Sequence, residues 1–190
     1  MLQFFEPARL LEYIHDFIIF DGGIKKTARP NQYFAVKAAQ PRVRKKQNGI
    51  IWHSQGSGKS LTMVWLAQWI RENVSDARVV IITDRDELDK QIESGFKDVG
   101  EQIQRAKSGG KLIEMLNAAE PWLICTLIHK FGNKNDSDAI SVGNKKASKS
   151  LDLYLEELAK SLPADFCAKG NIYVFIDECH RHKEACFTKP

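Results

Sequence analysis

The chain has 190 residues, and its 43% hydrophobic and 27% charged residues are ordinary for a globular domain with a real core, which excludes a fibrous protein. Its net charge of +4 is mildly basic and permits contact with a polyanion without requiring it. No apolar run reaches the roughly 18 residues of a membrane span, and the start has no basic signal region, so we expect a cytoplasmic protein without a membrane contact.

The N-terminal part of the chain is predicted to be a helical segment. Apolar residues recur at helical spacing over residues 7–20, and the Asp-Gly-Gly at residues 21–23 is expected to end that helix. A second, short helix is predicted over residues 31–39, because Pro30 precedes it and Pro41 follows it.

A glycine-rich loop lies between an apolar run at residues 49–52, predicted to be a strand, and a helix predicted over residues 59–73. Strand, loop and helix in this order are the context that a phosphate-binding loop requires. Gly56 and Gly58 allow the chain to curl so that successive N–H groups point inward, and the positive end of the helix is directed at the same place. We therefore predict that this loop binds a polyphosphate.

Lys59 and Ser60 supply the side-chain chemistry of such a loop. The lysine would reach the β and γ phosphates as a point charge, and the serine hydroxyl would bind Mg²⁺. The usual pattern has glycine where this chain has His53, so the alternative interpretation is a Gly-Ser turn that precedes a lysine by chance.

Downstream of this loop, apolar runs alternate with helical patterns. Strands are predicted at residues 77–83, 122–127 and 172–176, helices at residues 84–96, 111–119 and 151–161, and a mobile loop at residues 132–150. Together with the strand before the glycine-rich loop, these elements predict an α/β fold, a three-layer sandwich around a mostly parallel sheet. The glycine-rich loop then lies at the carboxyl end of a strand, where ligands bind in such sheets.

Asp177 and Glu178 follow directly after the last predicted strand. Two adjacent carboxylates there are costly unless a cation meets them, and a nucleotide-bound Mg²⁺ would be that partner. Asp177 would hold the metal, and Glu178 would orient and deprotonate the water that attacks the γ phosphate. The alternative is an acidic pair that caps the next helix. Two cysteines and two histidines lie close together here, namely Cys179, His180, His182 and Cys186. Their spacing matches no common zinc site.

Three stretches carry a family resemblance, at residues 52–60 (Trp-His-Ser-Gln-Gly-Ser-Gly-Lys-Ser), 83–91 (Thr-Asp-Arg-Asp-Glu-Leu-Asp-Lys-Gln) and 177–181 (Asp-Glu-Cys-His-Arg). They resemble the first three helicase motifs of type I restriction enzyme R subunits, which are superfamily 2 DNA translocases. The resemblance runs from about Phe4 to Arg181 and includes His53. It implies that residues 47–190 form the first RecA-like lobe of a P-loop NTPase motor, after a helical segment over residues 1–46 with an adenine-recognition element.

The resemblance also implies roles for individual residues. Arg29 and Gln32 look like the adenine-recognition element, in which the Gln32 amide would hydrogen-bond N6 and N7 of adenine. The ATP-binding residues implied are Arg29, Gln32, Gln55, Gly56, Ser57, Gly58, Lys59 and Ser60. The catalytic residues implied are Lys59, Asp177 and Glu178, with Ser60 and Asp177 as Mg²⁺ ligands. The DNA-contact positions implied are Arg85, Thr126 and Lys130, and the positions implied to couple hydrolysis to movement are His180 and Arg181. The family pattern is not followed at Leu127 and His129, which weakens the DNA assignment there.

Family members couple ATP hydrolysis to translocation on double-stranded DNA before endonucleolytic cleavage, and they assemble with specificity and modification subunits. Their nuclease domain, second RecA-like lobe and helical C-terminal region have no counterpart in these 190 residues. We therefore expect an excised fragment or a truncated reading frame that is inactive alone. Two alternatives stay open, namely a fragment of another superfamily 2 DNA or RNA helicase and a non-enzymatic remnant that binds nucleotide or DNA.

Overall fold

A computed structural model describes residues 6–83, 95–97, 99–106, 108–127 and 166–177. The chain divides into two compact units, Met1–Ala77 with Gln91–Ile103, and Arg78–Lys90 with Gln104–Pro190. The predicted division into residues 1–46 and 47–190 differs from these units and stays a prediction. Within the described ranges, no helix is both long enough and apolar enough to cross a membrane.

The first unit begins with a helix and a β-hairpin. These are helix α1 (Pro7–Asp16) and the antiparallel strands β1 (Ile18–Asp21) and β2 (Ile24–Thr27). The helix predicted to reach residue 20 therefore ends a turn earlier. Gly22 and Gly23, at φ +57° and +82°, form the two-residue turn that joins the strands. Positive φ at both central residues is the requirement of such a hairpin turn, so the Gly-Gly pair is a hairpin signal and not a helix stop.

Helix α2 (Pro30–Arg44) and helix α3 (Lys59–Asn73) form the rest of the first unit's framework and pack against each other. The prediction for α3 is confirmed. The prediction that α2 stops before Pro41 is wrong, because the helix continues to Arg44 with the proline inside it. A proline removes one backbone donor, here the partner of the Lys37 carbonyl, yet α2 continues past it and packs against α3.

Aromatic side chains connect α1 to α2. The Phe17 and Tyr33 rings have centroids 4.7 Å apart, and the Tyr13 and Tyr33 rings are 5.9 Å apart. The Tyr13 hydroxyl donates a hydrogen bond to the Ala28 carbonyl just before α2. Because these contacts converge on the first turns of α2, they hold the start of that helix in place.

Basic side chains after Pro41 have contacts inside the first unit. The Arg44 guanidinium carbon lies 5.2 Å from the centroid of the Trp69 ring, a cation–π contact between α2 and α3. Arg42 Nη1 donates to the Asn48 carbonyl at 3.1 Å. Arg42 and Arg44 therefore stabilise the first unit, whether or not they also bind a polyanion.

His15 lies in a small surface charge cluster at the end of α1. Its hydrogen bond with Asp16, and then the charges of Asp16 and Glu72, raise the pKa of the imidazole. The three side chains place their ligand atoms within 4.8 Å of one another. A cationic imidazole in the last turn of a helix is favourable, since the carbonyl end of the helix dipole is negative.

The second unit is built on a four-stranded sheet with the order β4–β5–β3–β6. Its elements are β3 (Ala77–Thr83), β4 (Gln104–Ala106), helix α4 (Gly109–Asn117), β5 (Leu123–Leu127) and β6 (Asn171–Ile176). Strand β5 pairs in parallel with both β3 and β4, and Cys125 lies opposite Ile81 on one side and Arg105 on the other. This parallel pairing with helical connections confirms the predicted α/β fold.

One face of this sheet packs against α4. Val80, Ala106 and Ile124 point to the same side and contact Leu112 and Met115 of the helix, and all five are buried. The burial of both faces explains why β3 and β5 are continuous apolar runs in the sequence.

The strands predicted after residue 76 are confirmed as β3, β5 and β6, but two differences remain. Residues 49–52 form no strand, and Ile50 and Trp52 are 58% and 82% exposed. A strand needs a hydrogen-bonded neighbour, and none pairs with this run within the described residues. Strand β4 is not predicted by the sequence, because Gln-Arg-Ala has no apolar pattern. The predictions that lie outside the described residues are most of the helix over 84–96, the loop over 132–150 and the helix over 151–161.

Candidate functional site

The glycine-rich loop of the first unit has the conformation that its glycines allow. Gly56 and Gly58 have φ values of +75° and +83°. Between them, the Ser57 N–H and hydroxyl both donate to the Ser54 carbonyl, at 3.3 Å and 2.6 Å. This turn brings the chain directly into α3, which begins at Lys59.

The N-terminus of α3 lies at this loop. Gly58 is its cap residue and provides no side-chain hydrogen bond to the first turn. The initial N–H groups of a helix have no partner within the helix, and together with the helix dipole they attract anions. Lys59 and Ser60 occupy the first turn, half-buried and exposed respectively. The arrangement is suited to a phosphate chain.

The carbonyl of Gly58 is held from two directions. The Thr62 N–H and hydroxyl donate to it at 3.1 Å and 3.2 Å, and the Gln32 side-chain nitrogen Nε2 donates at 3.0 Å. A Cβ atom built on Gly58 would lie 2.3 Å from that nitrogen. Glycine is therefore required here by its φ value and by the close approach of Gln32.

Gln32 also caps its own helix. Its Oε1 accepts a hydrogen bond from the Arg29 N–H at 2.8 Å, and the side chain as a whole is only 2% exposed. The structure thus brings Gln32 of the predicted adenine-recognition element to the glycine-rich loop within one unit. The adenine contacts of Arg29 and Gln32 themselves stay predictions.

Two other residues near the loop are informative. His53 is half-buried, and its Nδ1 has no hydrogen-bond partner among the described residues. Thr62 was not identified from the sequence as a residue of this loop. A helical Ser or Thr hydroxyl can bond the carbonyl four residues before it, and Thr62 follows Gly58 by four residues. A hydroxyl at that offset from the last glycine is the signal that would have identified it.

In the second unit, Asp177 follows β6 directly. Its N–H donates to the Ile82 carbonyl of β3 at 3.0 Å, which fixes the residue at the carboxyl end of the sheet, and it is half-buried. This is the position at which a carboxylate serves a ligand bound at the strand ends. The predicted partner residues outside the described part are Glu178, His180 and Arg181.

The predicted DNA-contact residues are only partly described. Thr126, near the end of β5, is 1% exposed, and its hydroxyl has no partner among the described residues. A contact between Thr126 and a DNA backbone stays a prediction, and it requires that the strand end become accessible. Arg85 and Lys130 lie outside the described residues, as do the cysteines and histidines of the segment after Glu178.

Comparison with known proteins gives a consistent result. Residues 31–189 match the model of the SWI2/SNF2 ATPase family. A putative type I restriction enzyme endonuclease subunit, MjaIXP, of Methanocaldococcus jannaschii is 33% identical over 73% of this chain and 14% of its own length. The SauCOLORF180P endonuclease subunit of Staphylococcus aureus is 27% identical over 94% of this chain and 17% of its own length. The HindI endonuclease subunit of Haemophilus influenzae is 27% identical over 93% of this chain and 16% of its own length. The chain thus spans less than one fifth of the length of these relatives.

Proposed function

Because this chain belongs to the SWI2/SNF2 ATPase family, we propose that it is the ATP-binding lobe of the motor of a type I restriction enzyme R subunit. The observation that carries the proposal is the N-terminus of α3, which follows a loop shaped by Gly56 and Gly58 and hydrogen-bonded to Gln32 of the proposed adenine-recognition element. The names of the relatives support the choice of this enzyme class over other superfamily 2 helicases.

The residues present fit a nucleotide carrying a divalent cation. The backbone N–H groups at the start of α3 and the Lys59 ammonium would bind the phosphates, and the Ser60 hydroxyl and Asp177 carboxylate would hold Mg²⁺. Mg²⁺ held by these residues would neutralise negative charge on the phosphate oxygens. Glu178 would accept a proton from the attacking water, and Arg29 and Gln32 would recognise the adenine.

For an R subunit of the relatives' length that contains this lobe, we propose ATP-driven translocation on double-stranded DNA, followed by cleavage by a separate nuclease domain. Arg85, Thr126 and Lys130 would contact the sugar-phosphate backbone, and His180 and Arg181 would couple hydrolysis to movement. The other partners would be the specificity and modification subunits, which read the target sequence, and the complex would act in the cytoplasm.

We expect the 190-residue polypeptide alone to bind ATP weakly and to hydrolyse it negligibly. Phosphoryl transfer needs positive charge on both sides of the nucleotide, and loss of an arginine supplied from another lobe typically lowers the rate by about 10³- to 10⁵-fold. A phosphate-release assay with and without double-stranded DNA measures this. DNA-stimulated turnover by the purified chain would contradict the expectation.

Replacing Lys59 with alanine tests the nucleotide site itself. The substitution removes a charged donor to the phosphates, so we expect ATP·Mg²⁺ affinity to fall by about 10- to 100-fold. Isothermal titration calorimetry of the two proteins measures the change, and Lys111→Ala, an exposed lysine on α4, is the matched control. If the wild type and Lys59→Ala bind ATP·Mg²⁺ equally, the loop is not a nucleotide site and the chain is a folded remnant.

A further inference from the structure

We propose that Gln32 is a positioning residue for the phosphate loop, in addition to any contact that it makes with adenine. The inference deepens the proposed function and rests on it where nucleotide binding is concerned. It concerns the shape of the loop before a ligand arrives, and it assigns to one side-chain amide the task of orienting a backbone peptide 26 residues away.

The amide of Gln32 has a buried and directional pair of hydrogen bonds. Its Oε1 is fixed by the Arg29 N–H at 2.8 Å, so Nε2 is directed towards the Gly58 carbonyl, which it meets at 3.0 Å. Only 2% of the residue is exposed, so these two hydrogen bonds are shielded from water. The orientation of the amide is therefore imposed by helix α2 and transmitted to the loop.

Fixing the Gly58 carbonyl also fixes the N–H of Lys59. The two groups belong to one planar trans peptide and point in opposite directions. Because the carbonyl is turned towards Gln32 and Thr62, the Lys59 N–H is turned away from them, towards the N-terminal side of α3. Gln32 thus helps to aim an anion-binding donor without touching the anion.

If Gln32 holds the loop in its binding conformation, its loss must weaken the affinity for every ligand of the loop, including a polyphosphate that carries no adenine. Preorganisation increases affinity because less ordering is left to occur on binding. An amide has two donor hydrogens and two acceptor lone pairs, and the two bonds to the protein use one of each. A role in adenine recognition alone would instead leave the binding of a bare polyphosphate unchanged when Gln32 is altered.

The substitution Gln32→Glu separates these possibilities. Glutamate keeps an oxygen to accept from the Arg29 N–H but has no donor for the Gly58 carbonyl. We expect the affinities for ATP·Mg²⁺ and for inorganic tripolyphosphate·Mg²⁺ to fall by a similar factor, about tenfold, in calorimetric titrations of the whole chain. Asn31→Asp, an exposed neighbour on the same turn, introduces the same charge and is expected to change both affinities by less than about twofold.

Hydrogen exchange at the Thr62 amide gives a readout that needs no ligand. This N–H donates to the same carbonyl at 3.1 Å, so we expect its exchange to be about tenfold faster in Gln32→Glu and unchanged in Asn31→Asp. If only ATP binding weakens and Thr62 exchange stays at the wild-type rate, the positioning role is wrong. If the wild type binds neither ligand, the proposed nucleotide site fails, and Thr62 exchange alone then decides the role of Gln32, an unchanged rate overturning it.

Discussion

Replacing Arg78 with methionine is expected to lower the free energy of unfolding by about 3–5 kcal/mol, because each buried carbonyl left without a donor costs about 1–3 kcal/mol. Arg78 lies on β3 with 3% of its surface exposed. A loss of that size is a large share of the roughly 5–15 kcal/mol by which domains are stable.

The effect follows from the number of backbone groups that this one side chain serves. Its guanidinium nitrogens make six contacts of 2.7–3.3 Å with five main-chain carbonyls, and Nη1 shares its two hydrogens among three of them. The five carbonyls belong to Met115, Leu116, Ala118, Pro121 and Lys169. The carbonyls at a helix C-terminus have no partner inside the helix, and they are negative because of the helix dipole. Arg78 therefore ends α4 and joins it to the segments that lead into β5 and β6.

Burial lowers the pKa of Arg78, since the charged form is partly deprived of water. The guanidinium nevertheless suits this site, because its five N–H groups form a planar fork and a lysine has only three donors on a single nitrogen. We expect Arg78→Lys to be intermediate between the wild type and Arg78→Met. Methionine fills similar space, so its effect reports the lost hydrogen bonds more than a cavity.

Urea unfolding followed by circular dichroism measures these differences. With a slope of about 1–3 kcal/mol per molar urea, the midpoint of Arg78→Met should fall by at least about 1 M. Lys111→Met on the exposed face of α4 is the control and should leave the midpoint unchanged. An Arg78→Met midpoint equal to that of the wild type would mean that water replaces the guanidinium at little cost.

Arg78 also illustrates what the sequence could not indicate. The pattern Ala-Arg-Val-Val-Ile-Ile-Thr identifies a buried strand, and it predicts β3 with the observed bounds. Nothing in that pattern distinguishes an arginine whose head reaches water from one whose head is enclosed by carbonyls, because the acceptors lie 37 or more residues further along the chain. Long apolar runs specify strands, but the partners of a polar side chain depend on tertiary structure.

The same division applies to the site. The glycine turn and the start of α3 at Lys59 were predictable, because glycine conformation and helix polarity are local properties. The hydrogen bond between Gln32 and Gly58 was not predictable. The family resemblance placed both residues near the nucleotide, but it predicted that the Gln32 amide contacts adenine and not the loop.

Local sequence patterns also led to a wrong prediction where the same residues are typical of two different structures. Asp-Gly-Gly at residues 21–23 ends helices and turns hairpins equally well, and the apolar spacing of residues 17–20 suits both. The strand β4 carries no apolar pattern, and its three residues pair with β5. In both cases pairing with a neighbouring strand decided the structure, and a neighbour is not visible in a local window.

Gly58→Ala is the second substitution for which we expect a large effect, a fall of at least about 100-fold in ATP·Mg²⁺ affinity. An L-residue other than glycine at φ +83° costs about 1–2 kcal/mol, and the new Cβ would also lie 2.3 Å from Gln32 Nε2. The loop can relieve both only by leaving the observed conformation, and the N–H groups at the start of α3 then lose their common direction. Gly110→Ala on α4, where a Cβ meets nothing within 4 Å, is the control for the substitution itself.

A double-mutant cycle separates the two causes. In Gln32→Ala, the nitrogen that the new Cβ would meet is absent, so adding Gly58→Ala should cost only the backbone strain, about 5- to 30-fold in affinity. Calorimetry on the four proteins of the cycle measures this difference. If Gly58→Ala costs as much in the Gln32→Ala background as in the wild type, the contact plays no part and φ alone requires glycine. If it costs less, the two residues act together. Gly58 then shapes the loop by its φ value and also leaves the space in which Gln32 bonds the Gly58 carbonyl.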